Sequence, residues 1–329
     1  MLNAFRALGG TADNVRASDN SGASGLYAID PTRPVSLLVP RNLHFAIDDI
    51  EFAHGEMRLK DTANVAPGER KFFEAYTRAF SWGPGGGANA AAFIASLDAL
   101  PFEVRSLLEN EFAMAYLFNG DPVERTKAWF LRSRYFRARG RDWYAPVIEL
   151  ARHAAEGLIP VLDVEGRLQI EGTVSGEVLV SRGAYDTLGV FYNLGVVVPQ
   201  DQAYSLPVNI KGRSTDILIQ RTTSKVSKRG DFLVPQTVQE NNALTFSHLM
   251  IGHLKFPRLS RGIFRALARD AGLGKPDQAF DHVLFANRTK FFRLIGALEP
   301  HSGEAVMSLR RVAHTQLERI SHCVGSREL

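Results

Sequence analysis

The sequence predicts an α+β fold in which a β-structure of short strands is split by a helical insert and followed by an all-helical C-terminal domain. Short apolar runs bounded by turn residues fill residues 20–60 and 160–220, and such runs are typical of strands. Apolar residues recur every three or four positions in 68–155 and 242–329, which is the spacing of amphipathic helices. The expected domains are an N-terminal part of the β-core at 1–67, the insert at 68–145, a C-terminal part of the core at 146–222 and the helical domain at 240–329.

The first β region contains two strand signals. The stretch SGASGLYAI (21–29) is a glycine-rich turn that enters a strand, and glycine allows the backbone to turn tightly or to approach a ligand closely. The stretch VSLLVP (35–40) is a compact apolar run that ends at a proline. Each stretch therefore predicts a short strand.

Amphipathic stretches make up the helical insert. Pro101 stands where one helix is expected to begin. The glycine-rich stretch SWGPGGGANA (81–90) is not followed by the Lys-Ser or Lys-Thr pair of a phosphate-binding P-loop, so we expect a flexible loop before a helix. The helical stretches are KFFEAYTRAF (71–80), NAAAFIASLDAL (89–100), PFEVRSLLENEFAMAYLF (101–118) and ERTKAWFLRSRYFRARG (124–140).

The second β region contains a corner at 177–199, EVLVSRGAYDTLGVFYNLGVVVP. A strand turns at Arg182-Gly183, a short helix follows and ends at Asn193-Leu194-Gly195, and GVVVP (195–199) predicts the next strand. The other expected strands are LIPVLDV (158–164), GRLQIEG (166–172), AYSLPVNI (203–210) and TDILIQR (215–221). The expected C-terminal helices are NALTFSHLMIGHL (242–254), PRLSRGIFRALARDAG (257–272), DQAFDHVLFANRTKFFRLIGAL (277–298) and GEAVMSLRRVAHTQLERIS (303–321).

Composition narrows the class of protein. A hydrophobic content of 45% and a net charge of +4 are ordinary for a soluble globular chain. Cys323 is the single cysteine, so no intrachain disulfide can form. The first residues, MLNAFRALGG, have no secretory signal, and no apolar run is long enough for a membrane span, so we expect a cytoplasmic protein. The histidines lack ligand spacings, and we expect no metal.

Basic residues do not form blocks. The densest run, RTTSKVSKRGD (221–231), predicts a solvated loop. Basic residues at helical spacing in the C-terminal helices would suit an acidic protein or a nucleic acid. Aromatic residues are not interleaved with them as they are in proteins that stack on bases, so nucleic acid is not the favoured partner.

Separated motifs follow one another in a fixed order. They are GASGLYAID (22–30) with VSLLVPRNLHF (35–45) after it, KAWFLRSRYF (127–136), APVIELARHAA (145–155) and SGEVLVSRGAYDTLGVFYNLGVVVPQDQAYSLPVNI (175–210). In order and spacing they resemble the SET-domain methyltransferases, specifically the branch that includes the RuBisCO large-subunit lysine methyltransferase. The resemblance covers most of the chain. It implies a SET-like β-fold split by a helical insert, a helical substrate-binding domain, and S-adenosylmethionine as the cofactor.

The resemblance implies a set of cofactor-binding residues. Ala23-Ser24-Gly25 match the glycine-rich turn that faces the cofactor, and Arg134 matches the arginine that grips its carboxylate. Arg152-His153 stand where the family has Asn-His, in a segment that contacts the adenine and the amino group of the cofactor. Arginine only donates hydrogen bonds. A second cation beside the sulfonium would be unfavourable unless it turns away.

The same resemblance places the corner at the entry of the lysine channel. Aligning Gly176-Glu177, Gly183 and Gly195 with the family puts Arg182 at the position of a tyrosine that orients the amine. Asp186-Thr187 then fall on the family's Ser-Asn pair. Arg182 stays protonated at ordinary pH, so it cannot act as a base and would repel a lysine ammonium.

Three hypotheses follow. In the first, the chain is an active methyltransferase that acts on a protein lysine or another amine, and Tyr185 or Tyr192 supplies the missing hydroxyl by a shift of register. In the second, Arg182 clamps an acidic group of a small-molecule substrate, as a bidentate guanidinium does well. In the third, the chain is a non-catalytic SET-like module that binds protein through its helical C-terminal domain.

Overall fold

The computed structural model describes residues 1–20, 23–212, 215–221 and 234–325, and the chain divides into two units. Unit 1 comprises Met1–Ile94 and Asp121–Ala184, and unit 2 comprises Ala95–Gly120 and the described part of the chain from Tyr185 onward. Helices and strands are mixed throughout, and the C-terminal region is helical. The α+β prediction is therefore confirmed.

Unit 1 contains most of the strands. They are β1 (Thr11–Asp13), β2 (Val15–Asn20), β3 (Ala23–Ala28), β4 (Val35–Val39), β5 (Phe45–Ala46), β6 (Ile50–Ala53), β7 (Glu56–Leu59), β8 (Tyr135–Ala138), β9 (Arg141–Tyr144), β10 (Arg152–Leu158), β11 (Val161–Leu162), β12 (Leu168–Gly172) and β13 (Leu179–Val180). The helices are α1 (Leu2–Ala7), α2 (Pro67–Phe80), α3 (Gly87–Asp98), within which the division at Ile94 falls, and α5 (Pro122–Arg134). The intervening α4 (Phe102–Glu111) belongs to unit 2.

The strands of unit 1 form small sheets. One has the order β1-β4-β12-β11 and is antiparallel, and others are β5-β9-β8 and the hairpins β2–β3 and β6–β7. Strand β4 confirms the prediction for 35–40. Its residues Val35, Leu37 and Val39 are fully buried and alternate with half-buried neighbours, which is the period of a strand with one face in the core.

The glycine-rich stretch after α2 is a π-helical turn, Trp82–Gly86, and not the predicted flexible loop. A Cβ atom on Gly86 would lie 1.8 Å from the carbonyl oxygen of Ser81, so only glycine fits there. The Trp82 ring packs edge-on against Phe52 and Phe130, at centroid distances of 4.5 and 4.9 Å. Close backbone approach and aromatic packing therefore order this stretch, which composition alone could not reveal.

Two predicted insert helices are shorter than expected. Pro101 caps α4 (Phe102–Glu111), which confirms the predicted start, but the helix ends before Ala113, whose φ is +57°. Helix α5 ends at Arg134, where the chain enters β8. Tyr135 then pairs with Tyr144 of β9, and the ladder hydrogen bonds replace those of a longer helix.

Unit 2 combines short strands with the C-terminal helices. The strands are β14 (Gln202–Tyr204), β15 (Val208–Ile210), β16 (Asp216–Ile219), β17 (Thr237–Glu240), β18 (Ala243–Phe246) and β19 (Met250–His253). The helices are α4, α6 (Thr187–Leu194), α7 (Leu259–Asp270), α8 (Pro276–Leu298) and α9 (Glu304–Gly325). The strands pair in the orders β15-β16-β18-β17 and β14-β19.

Two of the secondary-structure elements predicted for unit 2 are wrong. The stretch 242–254, expected to be a helix, forms β18 and β19, because β18 is hydrogen-bonded between β16 and β17 and β19 pairs with β14. The stretch 195–199, expected to be a strand, has no regular structure. Gly195 adopts a left-handed conformation that ends α6, and Val196 is exposed.

Within the described part of the chain, none of the helices combines the length and the apolar character that a bilayer crossing requires.

Candidate functional site

Motifs that are far apart in the sequence meet in unit 1. Tyr27 of β3 forms a bridge with Glu177, and the amide of Val178 donates to the carbonyl of Leu26 at 2.8 Å. Strand β10 runs parallel to β13, with His153 opposite Val180. Hydrogen bonds therefore join the segments around residues 23–28, 152–158 and 176–180.

Residues 23–25 lie in a strand and not in the turn that the sequence predicts. They belong to β3 and pair with residues 18–20 of β2. The connection itself, residues 21–22, lies outside the described residues. Gly25 is buried, and a Cβ atom there would lie 3.2 Å from the ring of Tyr27, so a side chain at this position would crowd the strand.

Arg134 is held at the end of α5. Its Nε lies 3.0 Å from Oε2 of Glu149, a carboxylate that is 1% exposed, and its Nη1 donates to Oγ of Ser133 at 2.6 Å. The guanidinium also lies over the ring of Phe130, 3.8 Å from its centroid. The guanidinium is therefore oriented by protein contacts, and one quarter of the Arg134 side chain remains exposed.

Arg152 forms an ion pair with Glu177. Its Nη2 donates to Oε2 of that carboxylate at 2.5 Å, and its Nε contacts Oε1. More than half of the Arg152 side chain is exposed. Its charge is therefore compensated by Glu177 within unit 1, so Arg152 adds no net positive charge to this segment.

Arg182 is bound to backbone carbonyls. Its Nη2 donates to the carbonyls of Glu149 and Ala151 at 2.7 and 2.9 Å, and its Nη1 donates to that of Ser133 at 3.0 Å. Both protons of Nη2 are thus engaged within the protein. A bidentate clamp would need two neighbouring N–H groups, so this geometry favours a role for Arg182 in holding the segment 149–151.

His153 accepts a hydrogen bond from the backbone amide of Arg182 through Nδ1, at 3.2 Å. Burial and then the charge of Arg182 lower the pKa of His153 to about 4, although a hydrogen bond to Val180 opposes the shift. The imidazole is therefore neutral at pH 7, and Nδ1 can act as an acceptor. Arg134, His153 and Arg182 come together in unit 1, although they lie in separate motifs.

Acid should destabilise the protein through His153. Its pKa is about 4 in the folded chain and 6.5 ordinarily, so the unfolded chain binds a proton that the folded chain excludes between these values. Stability is therefore lost as the pH falls from 6.5 towards 4, by at most about 3 kcal/mol for this histidine. In urea unfolding at several pH values, the free energy of unfolding should fall less steeply with decreasing pH for His153→Gln than for the wild type. His282→Gln, at an exposed position, is the control, and equal slopes for wild type and His153→Gln would contradict the assignment.

Tyr185 and Tyr192 belong to unit 2 and are both buried, at 4% and 7% exposure. The Tyr192 ring lies 6.3 Å from the ring of Tyr116 in an edge-on arrangement and 5.8 Å from the guanidinium carbon of Arg221. Tyr185 packs beside the backbone of Gly189. Tyr192 therefore lies beside both an aromatic ring and a guanidinium.

Asp186 and Arg221 form a buried ion pair that the sequence does not reveal. Nη2 of Arg221 lies 2.6 Å from Oδ1 of Asp186, and the two side chains are 2% and 1% exposed. Asp186 also accepts from the amides of Gly189 and Tyr204, so it caps α6 and binds β14. Burial alone lowers the pKa of Arg221, but Asp186 and Tyr192 outweigh burial and the pKa is raised.

Arg221 corrects the prediction of a solvated loop at 221–231. It is the first residue of that run, it is buried, and its Nη1 donates to the carbonyl of Tyr204 at 3.1 Å. The rest of the run lies outside the described residues. An acidic residue just before a helix is a recognisable N-cap signal, and Asp186 is such a residue. No local pattern indicates that its charge is paired with Arg221, because Arg221 lies 35 residues further along the chain.

The chain is similar to solved structures of SET domains. No protein-family model matches the sequence, and no curated protein matches it. The crystal structure of the SET domain of LSMT bound to lysine and AdoHcy has a TM-score of 0.44 and 13% identity, over 99% of this chain and 89% of that one. The structure of Rubisco LSMT bound to AdoMet has a TM-score of 0.42 and 12% identity, over 99% and 90%.

Proposed function

We propose that the chain is an S-adenosylmethionine-dependent N-methyltransferase of SET type that acts on a lysine side chain of a protein. The observation that carries the proposal is the convergence of the motifs in unit 1. Arg134, His153 and Arg182 come from different segments, and hydrogen bonds join them around the backbone of 149–153. The sequence resemblance alone requires no such convergence, because ordered motifs can lie far apart in space.

The residues present fit the cofactor. When bound, S-adenosylmethionine supplies a methyl group on a positively charged sulfur. Arg134 would hold its carboxylate, because a quarter of the side chain is exposed and Glu149 already orients the guanidinium. Arg152 would not repel the sulfonium strongly, because Glu177 compensates its charge.

Tyr192 would supply the hydroxyl that orients the amine of the substrate. Its ring is held by Tyr116 and lies near Arg221, which leaves the phenol in a defined position. Tyr185 is buried beside its own turn and would have a packing role. Arg182 would organise the backbone and would not contact the substrate.

Calorimetry with AdoHcy and with 5′-methylthioadenosine, which lacks the amino acid portion, tests this proposal. The wild type should bind both ligands. Arg134→Gln should weaken AdoHcy binding by about 10- to 100-fold, the worth of a charge-assisted hydrogen bond, and should change methylthioadenosine binding far less. A lost contact with the carboxylate weakens AdoHcy binding alone, whereas a general loss of stability weakens the binding of both ligands.

Arg137→Gln is the matched control, because Arg137 is exposed and its pair with Asp142 lies on the β8–β9 hairpin. It should leave both affinities unchanged. An absence of heat with AdoHcy and with AdoMet in the wild type would overturn the proposed function and would favour the non-catalytic hypothesis.

A further inference from the structure

Val147 adopts a strained turn in the middle of the third motif. Its φ and ψ are 69° and −57°, and the amide of Ile148 donates to the carbonyl of Pro146 at 2.8 Å. These values define a γ-turn of the rare type. A β-branched residue is especially disfavoured at positive φ. Val147 is fully buried, so the surrounding structure must impose the turn.

The hydroxyl of Tyr76, from α2, holds this turn. It accepts from the amide of Val147 at 3.0 Å and donates to Oε1 of Glu149 at 2.7 Å. Oε1 also lies 2.9 Å from the hydroxyl of Tyr144, and Oε2 lies 3.0 Å from Nε of Arg134. Burial and then the charge of Glu149 raise the pKa of Tyr76 well above its usual value, so the hydroxyl keeps the proton that it donates.

The turn at Val147 directly precedes residues 149–153, the segment to which both Arg134 and Arg182 bind. The carbonyls of Glu149 and Ala151 accept from Arg182, and His153 accepts from the amide of Arg182. The side chain of Glu149 orients Arg134. Tyr76 therefore bonds directly to both parts of the site: to the backbone of 147 and to the carboxylate that orients the guanidinium.

We propose that Tyr76 is a positioning residue for the cofactor, and that the γ-turn at Val147 is strain stored to preorganise the cofactor site. The inference rests on the proposed function. Strained backbone persists where surrounding contacts over-determine it, and it concentrates at binding sites. The helical insert would thereby act on the cofactor site through the buried hydroxyl of Tyr76 and its bonds to Val147 and Glu149.

Tyr76→Phe and Thr77→Val form a matched pair that tests the inference. Thr77 is the next residue of α2, is also fully buried, and donates to the carbonyl of Met57 at 2.8 Å. Each variant removes one buried hydroxyl, so both should lower the melting temperature. Because misplacement of a binding group is costly, Tyr76→Phe should weaken AdoHcy binding about tenfold or more. Thr77→Val should leave it within about twofold of the wild type.

A second measurement uses the wild type alone. Hydrogen exchange of the peptide that contains Val147 should slow when AdoHcy is added. Equal AdoHcy affinities in the two variants, or exchange at Val147 that AdoHcy does not change, would overturn the inference and leave the proposed function standing. A wild type that binds no AdoHcy would overturn both.

Discussion

Replacing Tyr192 with phenylalanine is expected to lower methyl transfer by about 100-fold or more and to leave AdoHcy affinity unchanged, because positioned proton-handling groups contribute 10²–10⁴ to a rate. The substitution removes the hydroxyl and its hydrogen bond to Arg221. The ring keeps its contact with Tyr116 and its place near Arg221. A selective loss of turnover with intact cofactor binding is the signature of a group that acts on the substrate and not on the cofactor.

The measurement is transfer of labelled methyl groups from S-adenosylmethionine to protein in a cell lysate. Tyr185→Phe is the matched control, because it removes a hydroxyl from the same corner at a residue that is equally buried. It should retain transfer within about threefold, as expected of a group outside the chemical step. If Tyr185→Phe abolishes transfer and Tyr192→Phe does not, the catalytic hydroxyl belongs to Tyr185, and the assignment of Tyr192 is wrong.

Substituting Asp186 with asparagine is expected to lower the free energy of unfolding by about 3–5 kcal/mol, which is the usual cost of breaking a buried ion pair. Asparagine keeps one oxygen, which can still accept from the amide of Gly189 and cap α6, but its NH2 group cannot accept from the amide of Tyr204 as Oδ2 does. The charge of Arg221 is then left in the interior, where it is 2% exposed and without a carboxylate. The uncompensated cation and the Tyr204 amide left without its acceptor together account for the loss.

Urea unfolding measures this effect. Asp216→Asn, which breaks the exposed pair with Lys211, is the control and should lower the free energy of unfolding far less than Asp186→Asn does. The double variant Asp186→Asn with Arg221→Met should be more stable than Asp186→Asn alone, because it removes the stranded charge. If Asp186→Asn alone were as stable as the wild type, the pair of Asp186 and Arg221 would contribute little to the free energy of unfolding.

Local patterns in the sequence predict much of the fold. The alternation in VSLLV predicts β4, and the apolar spacing in 277–298 predicts α8, because each pattern matches the period of one kind of element. The same reasoning fails for 242–254. Its apolar residues suit a helix as well as strands, and pairing with β14, β16 and β17 decides in favour of strands.

The residues of the candidate site also differ in whether the sequence alone could predict them. Arg134, Arg152, His153 and the corner at 182–192 were accessible to sequence reasoning because they lie in ordered motifs. Tyr76 was not, because nothing in α2 distinguishes it from its aromatic neighbours. The partnership of Asp186 with Arg221 was also hidden, since a buried ion pair depends on the folding of residues that are distant in the chain.

By itself, the sequence determined the α+β class, the order of the motifs and the presence of an arginine where a catalytic tyrosine is expected. Those features depend on residue type and spacing, which are local. Only the tertiary structure decided what Arg182 does. Its guanidinium binds the carbonyls of residues 133, 149 and 151, and hydrogen bonds between distant segments form only once the chain has folded.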